Sequence, residues 1–197
     1  MKKKVQNLAY AVIAIVGLGL QSSYGQTDTK TDNHTIGITI PEVALLDIEL
    51  AASKNITMAF TAPSPSEAGN PIVAPTDNTT LWLNYSSIVT ASGADATRKV
   101  TVYADVLIPG IDIKVLAGPD AGAGAGTKGT PSAQLTLTAG VATAQDIITG
   151  VGSCWTDTGA SKGHQLTYSL GLTSAATYGS LRAGTTTVTV TYTLSDN

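Results

Sequence analysis

The chain has 197 residues, a net charge of −3 and only 13% charged side chains, and it contains a single cysteine. This balance argues against nucleic acid or an anionic membrane surface as a partner, because both require clustered cations. One cysteine permits no disulfide within the chain, so the hydrophobic core has to hold the fold by itself. The length is sufficient for one domain with a sizeable core.

The first 25 residues have the pattern of a secretory signal peptide. Three lysines at positions 2–4 are followed by an apolar run at 8–20 and then by the small residues Ser23 and Gly25. The apolar run is too short to span a bilayer. We expect cleavage near Gly25, an exported chain that begins at about Gln26, and no membrane span.

Apolar residues alternate with polar ones through much of the remaining chain, which predicts half-buried β strands. In chain order, the apolar sets are Ile36, Ile38 and Ile40; Ile56, Met58 and Phe60; Leu81, Leu83 and Tyr85; Val100, Val102, Ala104 and Val106; Ile111, Ile113 and Val115; Leu166, Tyr168, Leu170 and Leu172; and Val188, Val190, Tyr192 and Leu194. We expect the last set to be essential for folding, because its four side chains need a core to pack against.

Turn-forming residues separate the predicted strands. Pro109-Gly110 predicts a tight turn, and the glycine-rich segment 118–131 predicts a long, mobile hairpin loop. The one stretch with helical potential, 139–150, is short and has no clear apolar stripe. Because crossover helices are missing, the sequence predicts an all-β fold, namely an immunoglobulin-like antiparallel two-sheet β-sandwich. We expect this single domain to span residues 35–197, after a flexible polar leader at 26–34.

The segment Gly-Ser-Cys-Trp at 152–155 resembles the signature around the nucleophile of papain-like cysteine proteases. Such catalysis needs a thiolate and an imidazole that takes its proton, and His164 is the nearest histidine. The family places its histidine and asparagine about 130–150 residues beyond the nucleophile, and too few residues follow Cys154 for that layout. We therefore expect Cys154 to be structural. A secreted hydrolase that uses Cys154 and His164 is kept as the last alternative.

Other motifs for catalysis or cofactor binding are incomplete. In the glycine-rich loop, Lys128 precedes Gly129 and no helix is predicted to follow, so the loop does not match a phosphate-binding P-loop. No serine-hydrolase elbow occurs. The two histidines, His34 and His164, are far apart and give no metal-ligand spacing, which leaves only a calcium site in a loop open. The sequence predicts no catalytic residue, no cofactor and no metal ligand, and hence a protein that is not an enzyme.

Four Asn-x-Ser/Thr triplets occur, at Asn33, Asn55, Asn78 and Asn84. They would be glycan acceptors in a eukaryotic secretory route. The lysine-rich start is typical of a bacterial signal, and a chain rich in threonine produces such triplets by chance.

Three aromatic residues are candidates for a carbohydrate platform. Trp82, Trp155 and Tyr85 stand on polar strands or loops, where an exposed ring can stack on a sugar. Packing within the sheet is the competing interpretation. A carbohydrate-binding module is therefore the first alternative function, and it requires an indole exposed on a flat or grooved face.

The last 20 residues, 178–197, place a glycine turn before an alternating strand of valine, threonine and tyrosine. This segment resembles the closing strand of secreted bacterial β-sandwich proteins of the pilin and spore-coat-U kind. The resemblance implies an immunoglobulin-like sandwich that serves as a structural or adhesive subunit at the cell surface. We expect an exported, non-enzymatic protein whose partners are other surface proteins, a second copy of itself or carbohydrate.

The segment at 35–40 decides between two kinds of assembly. If its isoleucines pair within their own chain, the protein is a closed, monomeric sandwich. If they add to the edge of a neighbour's sheet, the protein is a filament subunit. We expect pairing within the chain, because Pro41 can end the strand and Gly37 lies out of phase with the isoleucines.

Overall fold

The computed structural model describes residues 30–50, 53–63, 65 and 67–197, and the signal peptide expected at 1–25 lies outside them. The chain divides between Thr39 and Ile40, and the strands of the described residues all belong to the second part. The fold is mostly antiparallel β-sheet with almost no helix, which confirms the predicted all-β class. In the described ranges, no helix is long and apolar enough to cross a membrane.

The described residues form nine strands. They are β1 (Val43–Glu49), β2 (Asn78–Ile88), β3 (Arg98–Ala104), β4 (Ile111–Asp120), β5 (Ala125–Pro131), β6 (Leu135–Thr136), β7 (Gln145–Trp155), β8 (His164–Leu172) and β9 (Val190–Asp196). Short 3-10 helices lie at Ala94–Ala96, Val141–Thr143 and Ala175–Ser180.

The strands are hydrogen-bonded in the order β6-β4-β8-β2-β7-β3-β9, with β1 added to β2 and β5 added to β7. Strand β2 changes partner along its length, because Leu83 pairs with β8 whereas Ser86 and Ser87 pair with the end of β7. Strand β1 follows the opposite edge of β2. The last two residues of β7 and two residues in the first half of β1 therefore pair with the same two residues of β2, on its two opposite edges.

The core is built from alternate residues of the strands, as the period of two requires. In β3, for example, Val100, Val102 and Ala104 are buried and the residues between them are partly exposed. The buried apolar residues are Leu81, Leu83, Tyr85, Val100, Val102, Ala104, Ile113, Val115, Ala117, Leu137, Ile147, Ile148, Val151, Cys154, Leu166, Tyr168 and Tyr192.

Two tyrosines link distant strands of the sheet through the core. Tyr168 on β8 and Tyr192 on β9 are both buried, and their hydroxyl oxygens are 2.7 Å apart. Three strands separate β8 from β9 in the hydrogen-bonded order. This hydrogen bond therefore joins two strands that are not neighbours in the hydrogen-bonded order.

Most of the predicted strands are present. The alternating sets that begin at Leu81, Ile111 and Leu166 lie in β2, β4 and β8. The set that begins at Val100 lies in β3 except for Val106, and the final set lies in β9 except for Val188. The turn at Pro109-Gly110 is also confirmed, since the Ile111 amide donates to the Ile108 carbonyl over 3.0 Å.

Two predicted strands are not formed, and one strand was not predicted. Residues 31–42 belong to no strand, and β1 begins only after Pro41. The prediction that 35–40 pairs as a strand within its own chain is therefore wrong. Ile56 and Met58 do pack against the core, but their segment has no strand ladder. Strand β1 was not predicted from the sequence. Its buried and exposed residues do not alternate as they do in the strands that were predicted.

The prediction for the glycine-rich segment is also wrong. Segment 118–131 is not a long mobile loop, because β4 continues to Asp120 and β5 begins at Ala125. Segment 139–150 contains a single 3-10 turn and then enters β7 at Gln145. The glycines of β5 allow its backbone to lie very close to that of β7. At Gly126, for example, an added Cβ would lie 2.1 Å from the Ser153 carbonyl oxygen.

Candidate functional site

Cys154 and His164, the candidates for nucleophilic catalysis, are both buried. Burial raises the pKa of the Cys154 thiol, Lys128 acts in the opposite direction, and Asp120 adds to the increase. The His164 ring lies between two oxygen atoms, with Nδ1 2.8 Å from the Gly118 carbonyl and Nε2 2.8 Å from the Tyr85 hydroxyl. Both ring nitrogens thus have partners other than the thiol, and the thiol is held in its neutral form.

A buried polar cluster surrounds His164. The Tyr85 hydroxyl also bonds the Lys128 carbonyl, and the Lys128 ammonium donates to Asp120 Oδ2 over 2.6 Å. Asp120 Oδ2 accepts a further hydrogen bond from the Gly122 amide, whereas its Oδ1 is buried without a hydrogen bond. Burial raises the pKa of Tyr85 above its usual range, with smaller contributions from Cys154 and Asp120. The cluster therefore connects side chains or backbone of β4, β5, β2 and β8.

The aromatic candidates occupy three different environments. Trp155, the last residue of β7, is 53% exposed, Trp82 is partly buried within β2, and Tyr85 is buried with its hydroxyl in the polar cluster. Of the three, Trp155 presents the largest aromatic surface to solvent and lines a groove of about 360 Å³.

The groove lies across three strands. Leu45 on β1, Ser86 on β2 and Trp155 on β7 are direct cross-strand neighbours, so their side chains lie on the same face of the sheet. Leu45 is 64% exposed, which is high for an apolar residue within a strand. Leucine and indole therefore flank a small hydroxyl side chain, which gives a flat, partly apolar strip.

Two carboxylates line the same groove. Asp47 comes from β1 and Asp157 from the loop that follows Trp155. Each carboxylate is about half exposed and has a lysine nearby, at 3.6 Å for Asp47 with Lys54 and at 3.5 Å for Asp157 with Lys162. The groove thus combines an aromatic face with charged hydrogen-bond acceptors.

The loop at 156–163 is held in place by residues of β2. Asn84 donates from Nδ2 to the Lys162 carbonyl over 2.7 Å and accepts from the Gly159 amide over 2.8 Å. Thr156 exchanges hydrogen bonds with the Tyr85 backbone, since its amide donates to the carbonyl and its Oγ1 accepts from the amide, both at 3.0 Å. From the sequence, Asn84 is identified only as a glycosylation triplet, and the burial of its hydrogen-bonded amide argues against that use in the folded protein.

Asp157 adopts an uncommon backbone conformation for a residue other than glycine. Its φ is 69°, in the left-handed region, and its Oδ1 accepts from the Thr158 amide over 3.0 Å. A strained conformation held by its surroundings is often found where a side chain has to point in a particular direction. Asp157 is the second residue after the end of β7 at Trp155.

No metal site is evident in the described part of the chain, because no group of three or more histidine, cysteine, aspartate or glutamate side chains is placed to hold an ion. Comparison with protein-family models, curated proteins and solved structures finds no match to this chain. The assignment of function therefore depends on the geometry of the fold and of its surface.

Proposed function

We propose that the protein is an exported, non-enzymatic structural or adhesive protein whose sheet forms an immunoglobulin-like two-layer sandwich. The hydrogen bond between Tyr168 and Tyr192 supports the sandwich, since it brings distant strands face to face. The pattern of residues 1–25 supports export. The buried Cys154 thiol, with its raised pKa, argues against a thiolate nucleophile.

The observation that carries this proposal is the exposure of three isoleucines ahead of β1. Ile36, Ile38 and Ile40 are 74%, 81% and 74% exposed, and none of them is in a strand. Burying each side chain would contribute roughly 1.5–3 kcal/mol. An extended segment with one apolar row is suited to add to the open edge of another sheet, where backbone hydrogen bonds and side-chain burial act together.

A second copy of the chain can offer such an edge. In the described pairings, β9 is bonded to β3 along one side and has no strand on the other. Its residues alternate between threonine and larger apolar side chains, as an acceptor strand requires. Pairing of the isoleucine segment with β9 of a neighbour, repeated from copy to copy, would produce a filament. A filament subunit has a structural or adhesive role.

Light scattering of the exported protein tests this proposal. We expect oligomers for the wild type, and we expect Ile38→Asp to convert them into folded monomers. Thr39→Asp is the matched control, because it places the same charge one residue further on the opposite side of an extended segment, and it should leave more of the assembly intact. A wild-type protein that is monomeric at high concentration would refute the proposal, and so would equal effects of the two variants.

A further inference from the structure

We infer that the groove beside Trp155 binds a neutral polysaccharide chain. The site is distinct from the isoleucine segment on which the proposed assembly rests, so either proposal can fail without the other. Its aromatic element is a half-exposed indole at the end of β7, aligned across the strands with Ser86 and the exposed Leu45. Sugar rings present C–H groups on one face, and these pack well on the electron-rich face of an indole.

The polar groups of the groove fit the hydroxyl groups of a sugar. Asp47 and Asp157 are charged acceptors, which form stronger hydrogen bonds than neutral ones. Each is about half exposed, and its lysine lies 3.6 Å away for Asp47 and 3.5 Å away for Asp157. Oδ1 of each accepts a hydrogen bond from the next backbone amide, so Oδ2 is the oxygen with most capacity left for a ligand. Because the two lysines offset the two carboxylates, the groove is close to neutral and has no excess charge to attract a polyanion.

The site is organised before any ligand arrives. The buried Asn84 amide spans the loop at 156–163, and Thr156 fastens the start of that loop to β2. Asp157 is held in its left-handed conformation beside the indole. A binding surface that is already rigid loses little conformational freedom when it binds, which favours a weakly binding ligand such as a sugar.

The shape of the groove favours a chain over a single small molecule. Its volume of about 360 Å³ is at the low end of the range for small-ligand sites, which is roughly 300–1,000 Å³, and it is open rather than enclosed. An open groove contacts one side of a few consecutive units and leaves the ends of the ligand free. A polysaccharide has such a form.

Affinity gel electrophoresis of the exported protein tests this inference. The gels contain soluble xylan, mannan, laminarin or hydroxyethylcellulose as neutral probes, and alginate as the anionic probe. We expect retardation by at least one neutral polysaccharide and none by alginate. Trp155→Ala should weaken the retardation at least tenfold. Asp157→Asn keeps a residue that tolerates the left-handed conformation and should weaken binding severalfold. Asp146→Asn, on the exposed part of β7, is the control and should bind as the wild type does.

Fluorescence gives an independent readout, because the chain contains two tryptophans. In Trp82→Phe, Trp155 is the only indole, and the retarding polysaccharide should protect it from quenching by acrylamide. Retardation by alginate alone, no retardation by any of the four neutral probes, or full retardation of Trp155→Ala would each overturn the inference. A change of oligomeric state in Trp155→Ala without loss of retardation would assign the groove to a second copy of the chain and would also overturn it.

Discussion

Arg98 on β3 and Asp196 near the end of β9 form an ion pair, with Nε 2.8 Å from Oδ1. The guanidinium is buried, and its Nη1 also donates to the Ser87 hydroxyl and to the Ile88 carbonyl, both at 3.1 Å. It further bonds the Val43 carbonyl and the Glu42 carboxylate. One side chain thus connects the final strand to the end of β2 and the beginning of β1.

The neighbouring residue on β3 supplies a matched comparison for this pair. Lys99 points outward and pairs with Asp146 at 3.2 Å on the surface. We expect Asp196→Asn to lower the free energy of unfolding by about 1–3 kcal/mol, because a charge-assisted bond to a buried guanidinium is weakened. Asp146→Asn should cost less than about 1 kcal/mol, as exposed pairs contribute little. Urea denaturation of both variants measures the difference, and equal costs would contradict it.

A second matched pair tests the close approach of β5 to β7. Gly126 and Gly122 have nearly the same left-handed φ, 89° and 91°, but an added Cβ meets backbone only at Gly126. Gly122→Ala should cost about 1–2 kcal/mol through strain in φ alone. Gly126→Ala should cost clearly more, because the Ser153 carbonyl cannot move without disturbing the ladder. Thermal unfolding of the two variants tests this difference. Similar melting temperatures would contradict the prediction and would show that β5 can move away from β7 at little cost.

The alternating pattern predicted the strands that form the core, because each of them buries one face. It failed at Ile36, Ile38 and Ile40, since alternation indicates which face of a segment can be buried but not whether the segment pairs with another strand of its own chain. It also failed at β5, where the glycines were interpreted as a mobile loop. Glycine is needed at these positions because the backbone of β7 lies within contact distance. The local sequence of β5 does not indicate which strand will lie next to it.

Only part of the candidate site could be predicted from the sequence. Trp155 could be named, because an indole next to polar residues is a recognisable platform. Asn84 could not be assigned its role, since it holds a loop that lies 75–78 residues further along the chain. Leu45 and Asp47 belong to a strand that was not predicted, and the alignment of Leu45 with Trp155 through Ser86 follows from the strand order and the register.

The Cys154 thiol provides a test of the non-enzymatic assignment. Burial raises its pKa, so we expect iodoacetamide to modify the native protein orders of magnitude more slowly than the urea-unfolded protein at pH 8. Cys154→Ser should keep the fold and the retardation by polysaccharide. Mass spectrometry follows the labelling over time. Rapid modification of the native protein at pH 6 would instead indicate a reactive thiolate and would reopen the hydrolase hypothesis.

Burial lowers the pKa of His164, and the charge of Lys128 acts in the same direction, whereas Asp120 and the backbone hydrogen bonds of Gly118 and Lys128 act in the opposite direction. A base whose pKa is lower in the folded state binds its proton more readily when unfolded, so stability rises with pH through that interval. We therefore expect the free energy of unfolding to fall as the pH drops below about 6.5, the ordinary histidine pKa, with a slope of at most about 1.4 kcal/mol per pH unit from this group.

Two histidine variants isolate this contribution. His34 is exposed and belongs to no strand, so His34→Gln should retain the full dependence of stability on pH. His164→Gln should be less stable at pH 7.5, because the Gly118 and Tyr85 hydrogen bonds are disturbed, but it should lose less stability between pH 7.5 and pH 5 than the wild type. Urea denaturation at the two pH values gives the comparison. If His164→Gln loses as much stability on acidification as the wild type, the buried imidazole is not the group that senses the change.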